Sequence, residues 1–183
     1  MDIHTYLIVA HVIGAVLGVG TVTMHDLHIY RAIGDRDLAV AFQKSEVFYS
    51  RVIQIGLALL VASGLYFMFS RPVLWSSEKI LTKLGLVVLL VLNGAVINFI
   101  LRRRAGKLSP DDWATKSKLL KTEIFFRLPF DATSFSGWYA VLFLGAVGRQ
   151  AWHPALIIIG YIIFYAAVFT VFRTVLIKRL GVR

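Results

Sequence analysis

Apolar residues in this chain gather in long blocks instead of alternating with polar ones. Five blocks stand out, at residues 5–24, 52–69, 84–101, 133–147 and 155–177. A helix needs about 20 apolar residues to cross a hydrocarbon core of about 30 Å, because lipid offers no partner for a free backbone N–H or C=O. The pattern predicts an all-α, polytopic membrane bundle of about five transmembrane helices, forming one integral membrane domain over residues 1–183. The fourth block is the shortest and contains Ser134, Ser136 and Gly137, so its helix is expected to reach back to Leu128. No basic stretch precedes the first block and no small-residue cleavage site follows it, so residues 1–24 are expected to be a retained span.

The polar segments sharpen this picture. Ser109-Pro110-Asp111-Asp112 has a capping serine followed by proline, the pattern of a helix start. Residues 113–127 then mix Leu119, Leu120 and Phe125 with Lys116, Lys118, Lys121 and Arg127. That mixture predicts a helix lying along the inner interface, within a cytoplasmic segment of residues 105–130. Residues 30–50 are expected to do the same. Trp75, Trp138 and Trp152 read as interfacial anchors.

Composition agrees with a lipid solvent. The chain is 58% hydrophobic and only 16% charged, against about a quarter charged in soluble domains. Its net charge of +10 raises the question of nucleic acid, but the basic residues sit at block ends, where they meet anionic headgroups. No nucleic-acid partner is expected. With Arg71, Lys79, Lys83 and Arg149 on one side, all the others of the 20 Lys and Arg fall on the opposite side or at its span ends. Basic loops stay cytoplasmic, so the N-terminus is expected outside, the C-terminus inside, and Arg102-Arg103-Arg104 at the inner end of the third span. Cysteine is absent, which excludes disulfides, thiolate metal sites and thiol catalysis.

The histidines carry the candidate chemistry. Of the five, His4, His11, His25 and His28 lie in or beside the first block, and His153 precedes Pro154 at the start of the fifth. His4, His11, Gly18 and His25 are spaced by seven, which places them on a narrow arc of one helix face, with Gly14 at its edge. Ionisable groups inside a span are costly and mark bundle interiors, ligand sites or pathways. Three readings of this face stay open. Gly14 and Gly18 can form a close helix contact, with His11 bonded to Asn93, Asn98 or Gln54. Alternatively, His11 ligates haem iron with the glycines making room for the macrocycle, or the histidines line a metal-ion or proton path. His25 and His28 flank Asp26 and form a weak candidate for a divalent metal.

His11 and His25 are separated by a rise of about 21 Å, so they belong to opposite leaflets, and one outer haem is favoured over two. His153 is the expected second axial ligand, ahead of His4. Lys83, Arg149 and Arg71 are the candidate partners for propionates. A structural or assembly subunit of a membrane complex is the remaining alternative; no arrangement of nucleophile, base and orienting acid suggests a hydrolase.

Tyr6-Leu7, His11-Val12-Ile13-Gly14, Ser63-Gly64 and Lys83-Leu84 together resemble the bacterial membrane protoporphyrinogen oxidases and the copper-resistance D-like membrane proteins, over roughly residues 4–104. The resemblance implies a small polytopic protein of the bacterial inner membrane in which His11 matches a haem b ligand and Lys83 a basic residue opening the third span. It also implies membrane redox chemistry; a quinone or redox protein is a candidate partner, and a second copy of the chain is another, since a dimer would bring two copies of the first span together. His25, His28 and the last two spans match nothing in that pattern.

Overall fold

The computed structural model describes residues 2–147 and 153–182, and 91% of the described residues are helical. Helix α1 (Ile3–Ala32) starts where the Asp2 carboxylate accepts from Thr5 N–H at 3.0 Å, satisfying one of the orphan donors of a helix start. A short link turns the chain back: Gly34 takes a φ of +86°, and Asp35 caps α2 (Arg36–Ser70) through Asp37 and Leu38 N–H. After a 3-10 turn at Pro72–Ser76 comes α3 (Glu78–Val96). It runs through a π turn at Ile97–Leu101 into the short α4 (Arg102–Ala105). Then follow α5 (Pro110–Thr115), α6 (Lys118–Ala146) and α7 (Pro154–Leu180).

Four of these elements, Ile3–Ala32, Arg36–Ser70, Glu78–Ala105 and Pro154–Leu180, are long and apolar enough to cross a membrane. Helix α6 is as long but carries Arg127 and Asp131 in its body. It runs antiparallel to α3 along the whole bundle, from the Arg104–Glu123 ion pair at 2.8 Å to Lys79, whose ammonium donates to the Val147 carbonyl. Many large apolar side chains on the long helices face outward. The buried ones form two cores, one around Leu60, Leu90, Trp138 and Val141, the other around Phe42, Trp113, Leu120 and Ile124.

Several expectations change. Residues 30–50 are not a separate surface helix, because α1 and α2 continue past their apolar blocks as one long hairpin. Ala32, Ile33, Ala39 and Phe42 bury there against Leu108, Trp113, Leu120 and Leu180, and that second core holds the helices straight. Residues 113–127 likewise divide. The Ser109 capping box with Asp112 opens α5 as expected, Lys116 ends it in the left-handed conformation, and Ser117 caps α6. Pro129 does not break α6, although it has no N–H for the Phe125 carbonyl one turn earlier; beside it, Asn93 Nδ2 of α3 donates to the Phe130 carbonyl at 3.0 Å. Trp138 is no anchor at an interface. It is 2% exposed, at the centre of the first core. Trp75 is well exposed, and Trp152 lies outside the described residues.

Candidate functional site

The seven-residue face of α1 turns toward α2 along its whole length. Near the start, His4 and His11 pack on Phe67, with ring centroids 5.3 and 5.9 Å apart. At the far end, His25 packs on Phe42 and Tyr49. Between them the helices touch through glycine. A Cβ on Gly14 would lie 2.7 Å from the Gly56 carbonyl oxygen, and one on Gly18 would lie 2.1 Å from the Trp138 ring. Gly14 and Gly18 therefore make no room for a cofactor. Their missing side chains admit the α2 backbone and an indole, the close contact of small residues seen between packed membrane helices.

Around His11 the geometry is informative. Its Nδ1 lies 2.8 Å from Ser63 Oγ, and that hydroxyl is also 2.5 Å from the Leu59 carbonyl. A hydroxyl has one proton, and the carbonyl can only accept, so Ser63 donates to Leu59 and accepts from His11 Nδ1–H. The Nε2 lone pair of His11 is left without a hydrogen-bond partner among the described residues. Ser63 is 1% exposed and was not singled out from sequence beyond its place in Ser63-Gly64; a small hydroxyl facing His11 across two helices has no local signature.

His11 lines a cavity of about 360 Å³ with His4, Gly64, Met68, Arg71 and Lys83, walled by Ile8, Leu60, Val61, Leu84 and Val87. That volume falls within the roughly 300–1,000 Å³ of small-molecule sites. Gly64 is the glycine beside the imidazole, its Cβ position 3.9 Å from His11 Cε1. His4 is less available than His11. Arg71 donates to its Nε2 at 2.5 Å, which occupies the lone pair. His153 does not join the cavity. It caps α7, with Nδ1 accepting from Ala155 N–H at 3.3 Å, and is exposed. Arg149 lies outside the described residues.

The other histidines belong to a second site that sequence reading missed. Arg127 sits at its centre with every nitrogen engaged: Nε donates to Asp131 at 3.0 Å, one terminal nitrogen pairs with Glu46 at 3.5 Å, and the other donates to His25 Nε2 at 3.1 Å. A guanidinium has no lone pair, so His25 carries its proton on Nδ1 and gives it to Asp26 Oδ1, 3.2 Å away. Both ring nitrogens of His25 are thus used, which removes it as a haem or metal ligand. His28 Nδ1 is 2.6 Å from the Tyr49 hydroxyl. No group of three or more potential metal ligands forms among the described residues. A cavity of about 290 Å³ adjoins the cluster, lined by Ser50, Gln54, Asn98 and Arg102. The π turn sets Asn98 there, its amide donating to the Gly94 carbonyl at 2.8 Å and its oxygen accepting from Ser50 at 2.5 Å; such turns recur at functional positions.

No protein-family model matches the chain, and neither does any curated protein or solved structure.

Proposed function

We propose that this chain is a multi-pass protein of the bacterial inner membrane that holds haem b in the His11 cavity and takes part in electron transfer or membrane redox chemistry there. Four helices long and apolar enough to span support the membrane assignment, and α6, lying along α3, completes a five-span bundle. Clustering of Lys and Arg at the Arg102 end supports an inside C-terminus and an outside N-terminus, with His11 in the outer half.

The observation that carries the haem reading is the bonding of His11. Its Nδ1–H is committed to Ser63, and a backing hydrogen bond of this kind fixes the ring and tautomer of a ligating imidazole and raises its basicity. The residues around it fit the group. Arg71 and Lys83 supply charge-assisted donors for carboxylates such as propionates. Buried Met68 in the same lining would offer a thioether as a second donor to the iron, a role expected of His153 from sequence. The apolar walls keep water from the site. When bound, haem supplies a one-electron iron couple whose potential depends on its axial ligands. The exposed apolar surfaces of α1 and α3 leave the site within reach of a lipid-soluble carrier such as a quinone.

Titrating haem into the full chain in detergent tests this directly. Wild type gains a Soret band, His11→Ala does not, and Ser63→Ala binds about 10- to 100-fold more weakly, as for other second-layer partners of metal-ligating histidines. Wild type with no Soret band after loading overturns the haem reading.

A further inference from the structure

The Arg127 cluster carries more negative than positive charge. Asp26, Glu46 and Asp131 converge on it, and among the described residues Arg127 is the one Arg or Lys paired with Glu46 and Asp131. Its nitrogens bond Asp131, Glu46 and His25, and none of them donates to Asp26. That carboxyl receives a single N–H, from a neutral imidazole, on Oδ1. Its Oδ2 is buried and has no hydrogen-bond partner among the described residues, and Asp26 lines a largely apolar cavity with Thr23, Leu27, Phe135 and Phe172. A bare carboxylate oxygen in such surroundings is costly, and carboxyl groups placed so take up a proton instead.

We propose that Asp26 is a proton-binding site. At neutral pH it holds a proton as a carboxylic acid, exchanged with water at the Arg102 end through the cavity lined by Glu46, Ser50, Gln54 and Asn98. An O–H bond of a hydronium ion breaks as its proton adds to Asp26 Oδ2, forming the carboxyl O–H bond and leaving water; the proton returns to water by the same route, and no electron moves. The charged and titratable groups facing Asp26 are His25 and His28 on its own helix, Glu46 and Tyr49 on α2, Arg102 at the start of α4, and Arg127 and Asp131 on α6. From α7 only apolar side chains, Val171, Phe172, Val175 and Leu176, line the adjoining cavity. The cavity of about 290 Å³ is walled largely by apolar side chains but carries a polar strip of Glu46, Ser50, Gln54, Asn98 and Arg102; it has room for several waters at about 30 Å³ each, with partners along that strip, which is what a proton route to the surface requires. The site stands apart from the His11 cavity and needs no cofactor there.

Infrared spectroscopy of the full chain in detergent, at neutral pH in H2O and in D2O, reads the proton on the acid itself. Wild type is expected to show a carboxylic-acid C=O band that shifts in D2O as soon as the solvent is exchanged. Asp26→Asn, neutral and nearly isosteric, loses the band; Asp111→Asn, an exposed acid paired with Arg36, keeps it. Absence of the band from wild type overturns the proposal without any variant. So does its persistence in Asp26→Asn with loss in Asp131→Asn or Glu46→Gln, or its removal by sodium or potassium at fixed pH, which makes the site one for a metal cation.

Discussion

Replacing Gly14 by alanine probes the contact on which the α1–α2 hairpin depends. The new Cβ would stand 2.7 Å from the Gly56 carbonyl oxygen, 3.0 Å from Leu59 Cβ and 3.1 Å from Leu60 N. Ordinary van der Waals contact begins near 3.4 Å, so about 0.7 Å (3.4 minus 2.7) must be found. The opposing atoms are mostly backbone, which no rotamer change can move, and the two helices must separate. Overpacking of this kind costs about 1–3 kcal/mol. Alanine also brings a helix-propensity gain of about 1 kcal/mol over glycine, which would mask part of that cost. Gly20 supplies the control: it lies on the same helix and a Cβ there meets nothing within 4 Å. The propensity gain cancels between Gly14→Ala and Gly20→Ala, so their difference isolates the steric cost. Reversible SDS or thermal unfolding in bicelles should place Gly14→Ala about 1–3 kcal/mol below Gly20→Ala. Equal stabilities would refute the close contact.

Three further outcomes are expected. Trp138→Ala removes a side chain 2% exposed at the centre of the first core and over Gly18, and should cost about 3–5 kcal/mol in the same unfolding assay; a cost under about 1 would place the indole elsewhere. The Ser109 hydroxyl and N–H hold the Asp112 carboxyl below its ordinary 3.8. With the folded value below the unfolded one, the stabilisation is complete above that range and is lost as pH falls through the folded value; an NMR titration of Asp112 that reads higher in wild type than in Ser109→Ala would contradict the capping box. Since the chain has no cysteine, single cysteines report orientation cleanly: Ser76→Cys should react with an impermeant thiol reagent from outside intact cells and Lys107→Cys only after lysis, and the reverse would invert the topology.

Much of the scaffold was legible because a membrane helix states its solvent in its own residues: each apolar block lies within one of the long helices. The arc of His4, His11, Gly18 and His25 was equally legible, since spacing by seven defines a face whatever that face meets. What it meets was not. Helical periodicity alone does not say that Gly18 receives Trp138 from α6, or that Ser63 sits opposite His11, because those pairs are joined by packing between distant segments. For the same reason Arg127 read as an interfacial residue and Asp131 drew no reading at all. Their partners, Asp26 and Glu46, lie some eighty residues or more away in sequence, and only the antiparallel course of α6 brings the four together. The hairpin link was misread because Gly34 and Asp35 make a three-residue turn that local amphipathicity does not signal.

A reduced-minus-oxidised absorption spectrum of the purified chain, recorded for wild type, His11→Ala, His25→Ala and His153→Ala, tests the central claim most directly. Ligation by His11 predicts b-type bands in wild type, retained in His25→Ala, whose imidazole serves Arg127 and Asp26, and in His153→Ala, whose imidazole caps α7, but abolished in His11→Ala. Bands that survive His11→Ala, or that disappear in His25→Ala alone, would contradict it.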